Sequence, residues 1–159
     1  MRLSPAKEKE YPLLFSSGYD VKSPETIDYK YPIYNCIAFA ADDQTQFWWP
    51  DPEGDAYWPD GVKREVARVA FIQAYETIGY KVCDNGKVEE GYEKIALYEK
   101  NGVPTHAAKQ IDEIWWKSKL GYWEDIEHKT VEAVQTFNGI GLYGEVAFYM
   151  KRKRTSETR

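Results

Sequence analysis

The stretch from residue 93 to residue 120 constrains the fold most strongly, because apolar and polar residues alternate along it with a period of two. Alternation over about four to eight residues indicates a β-strand. The strands expected here are 93–98, 103–111 and 114–120. Short turns join them, one at 99–102 and one at 112–113, so an antiparallel meander is predicted. Residues 144–151 alternate in the same way and are expected to form a closing strand.

Helical patterns lie on both sides of this meander. The first predicted helix starts at Asn35 or Cys36 and runs to about Asp43, with Asn35 available as its N-cap. A longer helix over 61–78 is predicted between an Asp60 cap and Gly79, and a weaker one over 129–137. Residues 122–128 are interpreted as a polar loop.

The length of 159 residues predicts a single domain. Within it, residues 1–32 are rich in proline and are expected to form an irregular leader, and residues 152–159 a basic, frayed tail. Only two cysteines occur, and no apolar run has the length of a signal peptide or a membrane span. We therefore expect a cytoplasmic protein without a disulfide and without membrane contact.

The formal net charge of −5 disfavours a general nucleic-acid binder, because phosphate affinity depends on lysine and arginine. The sequence contains neither a phosphate-binding glycine loop nor a G-x-S-x-G serine elbow. The expected partner is a protein or peptide substrate. The oligomeric state does not follow from the sequence.

Cys36 is the candidate nucleophile, because a helix N-terminus lowers the pKa of a thiol. His106, in the second predicted strand, is the candidate base. Backbone N–H groups at the helix start, with the side chain of Asn35 or Tyr34, are expected to stabilise an oxyanion. A thiol hydrolase of this kind needs no cofactor.

The motifs around both residues resemble those of known cysteine hydrolases. NCIAFA is similar to the helix-starting cysteine motif of the papain-like superfamily, and THAAKQIDEIWWKSKLG resembles the strand-turn-strand of NlpC-type and CHAP-type amidases and peptidases. The resemblance implies an α+β papain-like fold in which a helix bearing Cys36 packs on a small antiparallel sheet bearing His106. It also implies a third catalytic residue, and by hairpin register Ser118 stands in that place. Asp125 and His128 are the alternatives.

A second resemblance covers roughly residues 30 to 150. The set YNCIAFA, WWP, GYEKIALY, PTHAAKQ, WKSKLG and EDIEH is similar to a family of small uncharacterised bacterial and phage domains. No activity is implied by that likeness.

Residues 47–59, here called the aromatic loop, contain Trp48, Trp49 and Trp58 and are too rich in proline and glycine for regular structure. The loop is expected to pack, either as a plug over the core or as a wall of the active-site cleft, and the two are compatible. In the second case the three tryptophans would line a substrate cleft. The carboxylates Asp51, Glu53 and Asp55 alternate as in a calcium loop but lack the later ligands, and the cysteines and histidines are not paired at zinc spacing, so no metal is expected.

Two functions remain open on this reading. The first is a thiol hydrolase of amide or isopeptide bonds, acting as a peptidase, amidase or deamidase. The second is a catalytically inactive module of the same fold that recognises a partner protein through the aromatic loop.

Overall fold

The computed structural model describes residues 21–22, 34–119, 125–135 and 143–155. Within these ranges, seven strands form one antiparallel sheet in the order β1-β6-β5-β4-β3-β7-β2. The strands are β1 (Val21–Lys22), β2 (Lys81–Cys83), β3 (Tyr92–Lys100), β4 (Val103–Gln110), β5 (Trp116–Lys119), β6 (Asp125–His128) and β7 (Glu145–Lys153).

Helices α1 (Cys36–Ala40) and α2 (Arg68–Glu76) cover one face of the sheet, here called the helix face. Their apolar side chains pack with Ile95, Leu97 and Ala107 of the central strands in one buried cluster. This cluster is the larger of the two cores and includes Trp48 and Trp58 of the aromatic loop. The aromatic loop is therefore part of the core on the helix face.

The other face, here called the far face, is also buried. It carries Ala96, Tyr98 and Ala108, which pack against a 3₁₀ helix at Val131–Val134. Because side chains alternate between the two faces of a strand, neighbouring residues of β3 and β4 belong to different cores. The face on which a residue lies therefore decides which other side chains it can contact.

The predicted α+β, papain-like architecture is wrong. The described residues form a β-rich fold whose main element is the sheet, and only α2, with nine residues, is a helix of ordinary length. Helix α1 has five residues and ends where Asp42 adopts a left-handed conformation with φ 62°. A helix this short cannot form a layer of its own, so Cys36 lies in a single turn pressed on the sheet.

The meander is confirmed, and several boundaries differ from the prediction. The third strand begins at Trp116 rather than at 114, and α2 begins at Arg68 instead of 61. Within 122–128, predicted as a polar loop or short turn, Asp125–His128 is strand β6, so the prediction is wrong there. The described part of the helix predicted for 129–137 contains only the 3₁₀ turn, and residues 122–124 and 136–137 lie outside the described residues. Strand β2 carried no sequence signal.

At the two ends of the chain, Val21–Lys22 pairs with β6 as an edge strand, and the rest of the predicted leader lies outside the described residues. Arg152 and Lys153, assigned from the sequence to a frayed tail, belong to β7. Neither α1 nor α2, the helices of the described part, has the length and apolar character needed to cross a membrane.

Candidate functional site

Cys36 stands at the first position of α1, as predicted. Asn35 is the N-cap and its Oδ1 accepts a hydrogen bond from the backbone N–H of Ala38 at 3.1 Å. The thiol itself is buried, with 7% of the residue exposed, and donates to the carbonyl of Thr105 at 3.8 Å. Burial raises the pKa of Cys36 to about 11, more than the nearby backbone N–H groups lower it. The thiol is therefore protonated at neutral pH.

His106 lies on the far face of β4, away from Cys36. Its ring stacks on Tyr143 at 4.0 Å between centroids and meets Tyr98 edge-on at 5.1 Å. The side chain is fully buried, and neither ring nitrogen has a hydrogen-bond partner among the described residues. Burial lowers the pKa of His106 well below its usual range, with a smaller contribution from His128. The imidazole is neutral and enclosed by aromatic rings.

Of the three alternatives for the third residue, Ser118 and His128 contact each other. Ser118 Oγ and His128 Nε2 are 2.8 Å apart, and His128 Nδ1 donates to the carbonyl of Thr130 at 2.7 Å. Both residues are fully buried on the far face. Burial lowers the pKa of His128 to about 4. The pair shares a face with His106 but not with Cys36.

Asp125 lies on the helix face with the two candidate oxyanion residues. Tyr34 donates its hydroxyl hydrogen to Asp125 Oδ2 at 2.5 Å. Burial raises the pKa of Asp125, against the opposing effects of Tyr34 and nearby lysines. The amide of Asn35 bonds to both backbone groups of Trp48, donating to its carbonyl at 2.8 Å and accepting from its N–H at 3.1 Å. Both candidate donors are thus occupied within the protein.

The structure therefore divides the predicted catalytic residues between two faces. Cys36, Tyr34, Asn35 and Asp125 lie on the helix face, whereas the residues on the far face are His106, Ser118 and His128. Strands β4, β5 and β6 separate the two groups. No Cys–His contact is formed in this arrangement.

The three tryptophans of the aromatic loop have different environments. Trp48 and Trp58 are each 4% exposed, and their indole N–H groups donate to Asp43 Oδ2 at 2.8 Å and to the carbonyl of Lys63 at 3.0 Å. Trp49 is half-buried and meets the edge of Phe71 at 5.5 Å. Only Trp49 of the three therefore lines an open surface.

That surface is a cleft of about 680 Å³, here called the loop cleft. It is lined by Asn35, Phe47, Trp49, Asp51, Glu53, Asp55 and Ala56. Its volume falls within the range of ordinary ligand sites, roughly 300–1,000 Å³. The sequence predicted the whole loop as a wall of a cleft but singled out only its tryptophans as binding residues, although the alternating acidic residues beside two aromatic ones were a signal for Phe47 and the carboxylates as well.

Asp51 holds the wall of the loop cleft in one conformation. Its carboxylate accepts hydrogen bonds from the backbone N–H groups of Asp55, at 2.7 Å, and Ala56, at 2.9 Å. Arg64 crosses the turn, donating to the carbonyl of Asp51 and to that of Ala56, both at 2.9 Å. The backbone N–H groups that bind Asp51 lower the pKa of its carboxyl. The loop is thus cross-linked by hydrogen bonds although it has no regular secondary structure.

No group of three or more histidine, cysteine or carboxylate side chains placed to hold a metal ion occurs within the described ranges. Comparison with curated proteins found no match, and comparison with solved structures found none either. A family defined as a domain of unknown function, DUF7689, matches residues 20–151, which is most of the chain. The chain therefore belongs to the DUF7689 family.

Proposed function

We propose that this chain is a non-catalytic binding module that recognises a partner protein or peptide through the loop cleft. The observation that supports the proposal is the cleft itself, an open site lined by two aromatic side chains, Phe47 and Trp49, that are only half-buried. Aromatic anchors in desolvated pockets supply most of the binding energy in many protein interfaces.

The rigidity of the loop adds to this argument. Hydrogen bonds within the chain form the Asp51 turn and the clamp of Asn35 on Trp48. A binding surface that is already ordered loses less conformational entropy when its partner binds, and this increases affinity. Two tryptophans of the loop, Trp48 and Trp58, are buried in the core and further restrict its motion.

The hydrolase hypothesis has less support from the same residues. A thiol nucleophile must be accessible and must lie within hydrogen-bond reach of its base. Cys36 instead donates to the Thr105 carbonyl, and His106 stacks on Tyr143. The hydrolase hypothesis stays a prediction, and the labelling experiment in the Discussion tests it.

The proposal can be tested by selecting peptides from a random library against the folded protein and mapping their contacts by NMR. We expect the selected peptides to shift the backbone amide resonances of residues 47–56 and leave those of β2 unchanged. Ala56→Leu should weaken binding about tenfold, because the larger side chain fills the cleft while the backbone bonds of Ala56 to Asp51 and Arg64 remain available.

Ile114→Ala is the matched control, since Ile114 is an exposed apolar residue of another turn. It should bind the selected peptides like the parent protein. Peptides that bind the parent and the Ala56→Leu variant equally, or that shift resonances only outside the aromatic loop, would refute the proposal. So would a selection that enriches no peptide.

A further inference from the structure

We infer that the loop cleft takes a basic side chain, a lysine or arginine presented by the partner protein. This inference rests on the proposed function and specifies its ligand. Two features of the lining residues carry it: uncompensated carboxylates at the rim, and aromatic rings beside them. A third feature, found elsewhere in the chain, shows that this protein already holds lysines in the same kind of environment.

The charges of the loop cleft are unbalanced. Three carboxylates line it, and the one cation that pairs with them in the described part of the chain is Arg64, at 3.2 Å from Asp51 Oδ1. The Asp51 carboxylate is further occupied by two backbone N–H groups. Glu53 and Asp55 are exposed, and among the described residues their carboxylates, unlike the backbone N–H of Asp55, form no hydrogen bond or ion pair that holds the loop. An incoming cation would meet two carboxylates, whereas an acidic side chain would be repelled.

The aromatic residues select for a particular kind of cation. Lysine and arginine place an apolar stem on hydrophobic surface while the charged end reaches a polar rim. Phe47 and Trp49 offer such a surface, and an aromatic ring also attracts a cation through its electron-rich face. A small inorganic cation would gain nothing from the rings. The combination therefore favours a long basic side chain.

The helix face contains two lysines in comparable settings. Lys117 Nζ lies 4.9 Å from the ring centre of Phe39 and 3.6 Å from Asp42 Oδ1. Lys119 Nζ lies 5.3 Å from the ring centre of Tyr34 and 3.9 Å from Asp125 Oδ1. In each case an aromatic ring and a carboxylate lie beside the ammonium group. The loop cleft presents the same two kinds of group, and none of its lining residues in the described ranges is a lysine.

The test uses three blocked peptides of equal length that differ only in the central residue, which is lysine, norleucine or glutamate. Binding is measured by NMR titration of the parent protein, with the amides of Asp55 and Ala56 as reporters. We expect the lysine peptide to bind at least about fivefold more tightly than the norleucine peptide, and the glutamate peptide not to bind. The preference should diminish as ionic strength rises from about 0.01 M to about 1 M, over which the Debye length falls from about 30 Å to about 3 Å.

The double variant Glu53→Gln/Asp55→Asn removes the rim charges without changing the hydrogen bonds of the loop. It should bind the lysine and norleucine peptides equally. Glu90→Gln/Glu113→Gln is the control: it makes the same change in net charge at exposed positions elsewhere and should keep the parent preference. Arg64 is left unchanged in both variants because it holds the turn.

The outcomes separate this inference from the proposed function. If norleucine and lysine peptides bind equally well in the loop cleft of the parent protein, the proposed binding module is still supported, and the inference of a basic side chain is wrong. If the control double variant loses the preference as fully as the rim variant, the effect is one of net charge and the inference is also wrong. If none of the peptides shifts the loop resonances while library-selected peptides do, the ligand class is different from the one inferred.

Discussion

Cys36 and His106 lie on opposite faces of one β-sheet. The Cys36 thiol donates a hydrogen bond to the backbone carbonyl of Thr105. His106 follows Thr105 in the chain, and its side chain packs against Tyr98 and Tyr143 on the far face. The backbone of strand β4 therefore lies between the Cys36 thiol and the His106 imidazole, although the thiol contacts the residue directly before His106. In the register of β3 and β4, His106 is paired with Tyr98. A thiolate–imidazolium pair between Cys36 and His106 would require β4 to change this register.

The reactivity of Cys36 should accordingly be low. Because burial raises its pKa to about 11, we expect iodoacetamide to label Cys36 more slowly at neutral pH than an unperturbed thiol, whose pKa is about 8.5. His106→Phe should leave the labelling rate unchanged. Rates measured by mass spectrometry as a function of pH, in a Cys83→Ser background, check this.

Cys83 supplies the internal comparison, since it is half-exposed on strand β2. In the complementary Cys36→Ser background it should react faster than Cys36 does. Fast labelling of Cys36 at a pH well below 8.5, and loss of that reactivity when His106 is replaced, would contradict the prediction and restore the hydrolase hypothesis.

The sequence correctly predicted those structural features, such as turns and helix caps, that depend on residues close together in the chain. The turn between β3 and β4 is one example: Asn101 and Gly102 both have positive φ, at 54° and 78°, as a two-residue hairpin turn requires. The cap of α1 is another, because Asn35 needs only the N–H of Ala38 three residues later. These elements form wherever the same few residues occur together.

Such local signals could not predict on which face of the sheet each strand residue lies. Alternation identifies the strands, but both faces of this sheet are buried, so polarity does not show on which one His106 lies. Likewise β6, with two acidic residues, resembles a polar loop in sequence and forms a strand because β5 and β1 pair with it. The burial of Cys36 depends on packing against β4, which is distant in sequence.

The two buried histidines should make the protein less stable in mild acid. Each has a pKa below that of an unfolded histidine, about 6.5, so the unfolded state binds protons that the folded state does not. The free energy of unfolding should therefore fall as pH falls, by about 2 kcal/mol per histidine between about pH 7 and pH 5. Urea unfolding across this range, which lies above the pKa of about 3.9 to 4.3 of unperturbed carboxyl groups, measures the effect.

The variants His106→Phe and His128→Phe distinguish the two contributions. His106→Phe removes a ring without hydrogen-bond partners in the described structure, so it should reduce the pH dependence without loss of stability at neutral pH. His128→Phe should also reduce the pH dependence but cost about 2 kcal/mol at neutral pH, because Ser118 Oγ and the Thr130 carbonyl lose their partner. Parent-like pH dependence in both variants would mean that other groups cause it.

Among the charged residues of the helix face, Lys109 is the one whose replacement we expect to lower the free energy of unfolding most. Its ammonium donates to Asp42 Oδ2 at 2.6 Å, Glu93 Oε1 at 2.8 Å and the Tyr80 hydroxyl at 2.9 Å, with 7% of the side chain exposed. Although burial opposes it, Lys109 and Arg152 hold the pKa of Glu93 at about 2. Lys109→Met should lower the free energy of unfolding by about 3 kcal/mol, because it leaves the buried Glu93 carboxylate with fewer partners.

The matched control for that substitution is Lys63→Met, which breaks an ion pair with Glu65 whose lysine side chain is 79% exposed. Exposed pairs contribute little, so the change in the free energy of unfolding should stay below about 1 kcal/mol. Equal losses in the two variants, measured by urea unfolding at neutral pH, would show that the Lys109 network is not buried in solution.

Asn35→Ala should release the aromatic loop from α1. The alanine removes the N-cap, worth about 1 kcal/mol, and leaves the N–H and carbonyl of the buried Trp48 without their partner, so we expect a total loss near 2 kcal/mol. Asn35→Asp keeps an acceptor for the N–H groups of Ala38 and Trp48 but cannot donate to the Trp48 carbonyl, and its loss should be smaller. Urea unfolding gives the stabilities, and hydrogen exchange of the Trp48 amide should accelerate more in the alanine variant.

If the alanine and aspartate variants show the same stability and the same exchange rate, the N–H groups of Ala38 and Trp48 do not depend on this side chain, and the order of the loop cleft must come from the Asp51 turn alone.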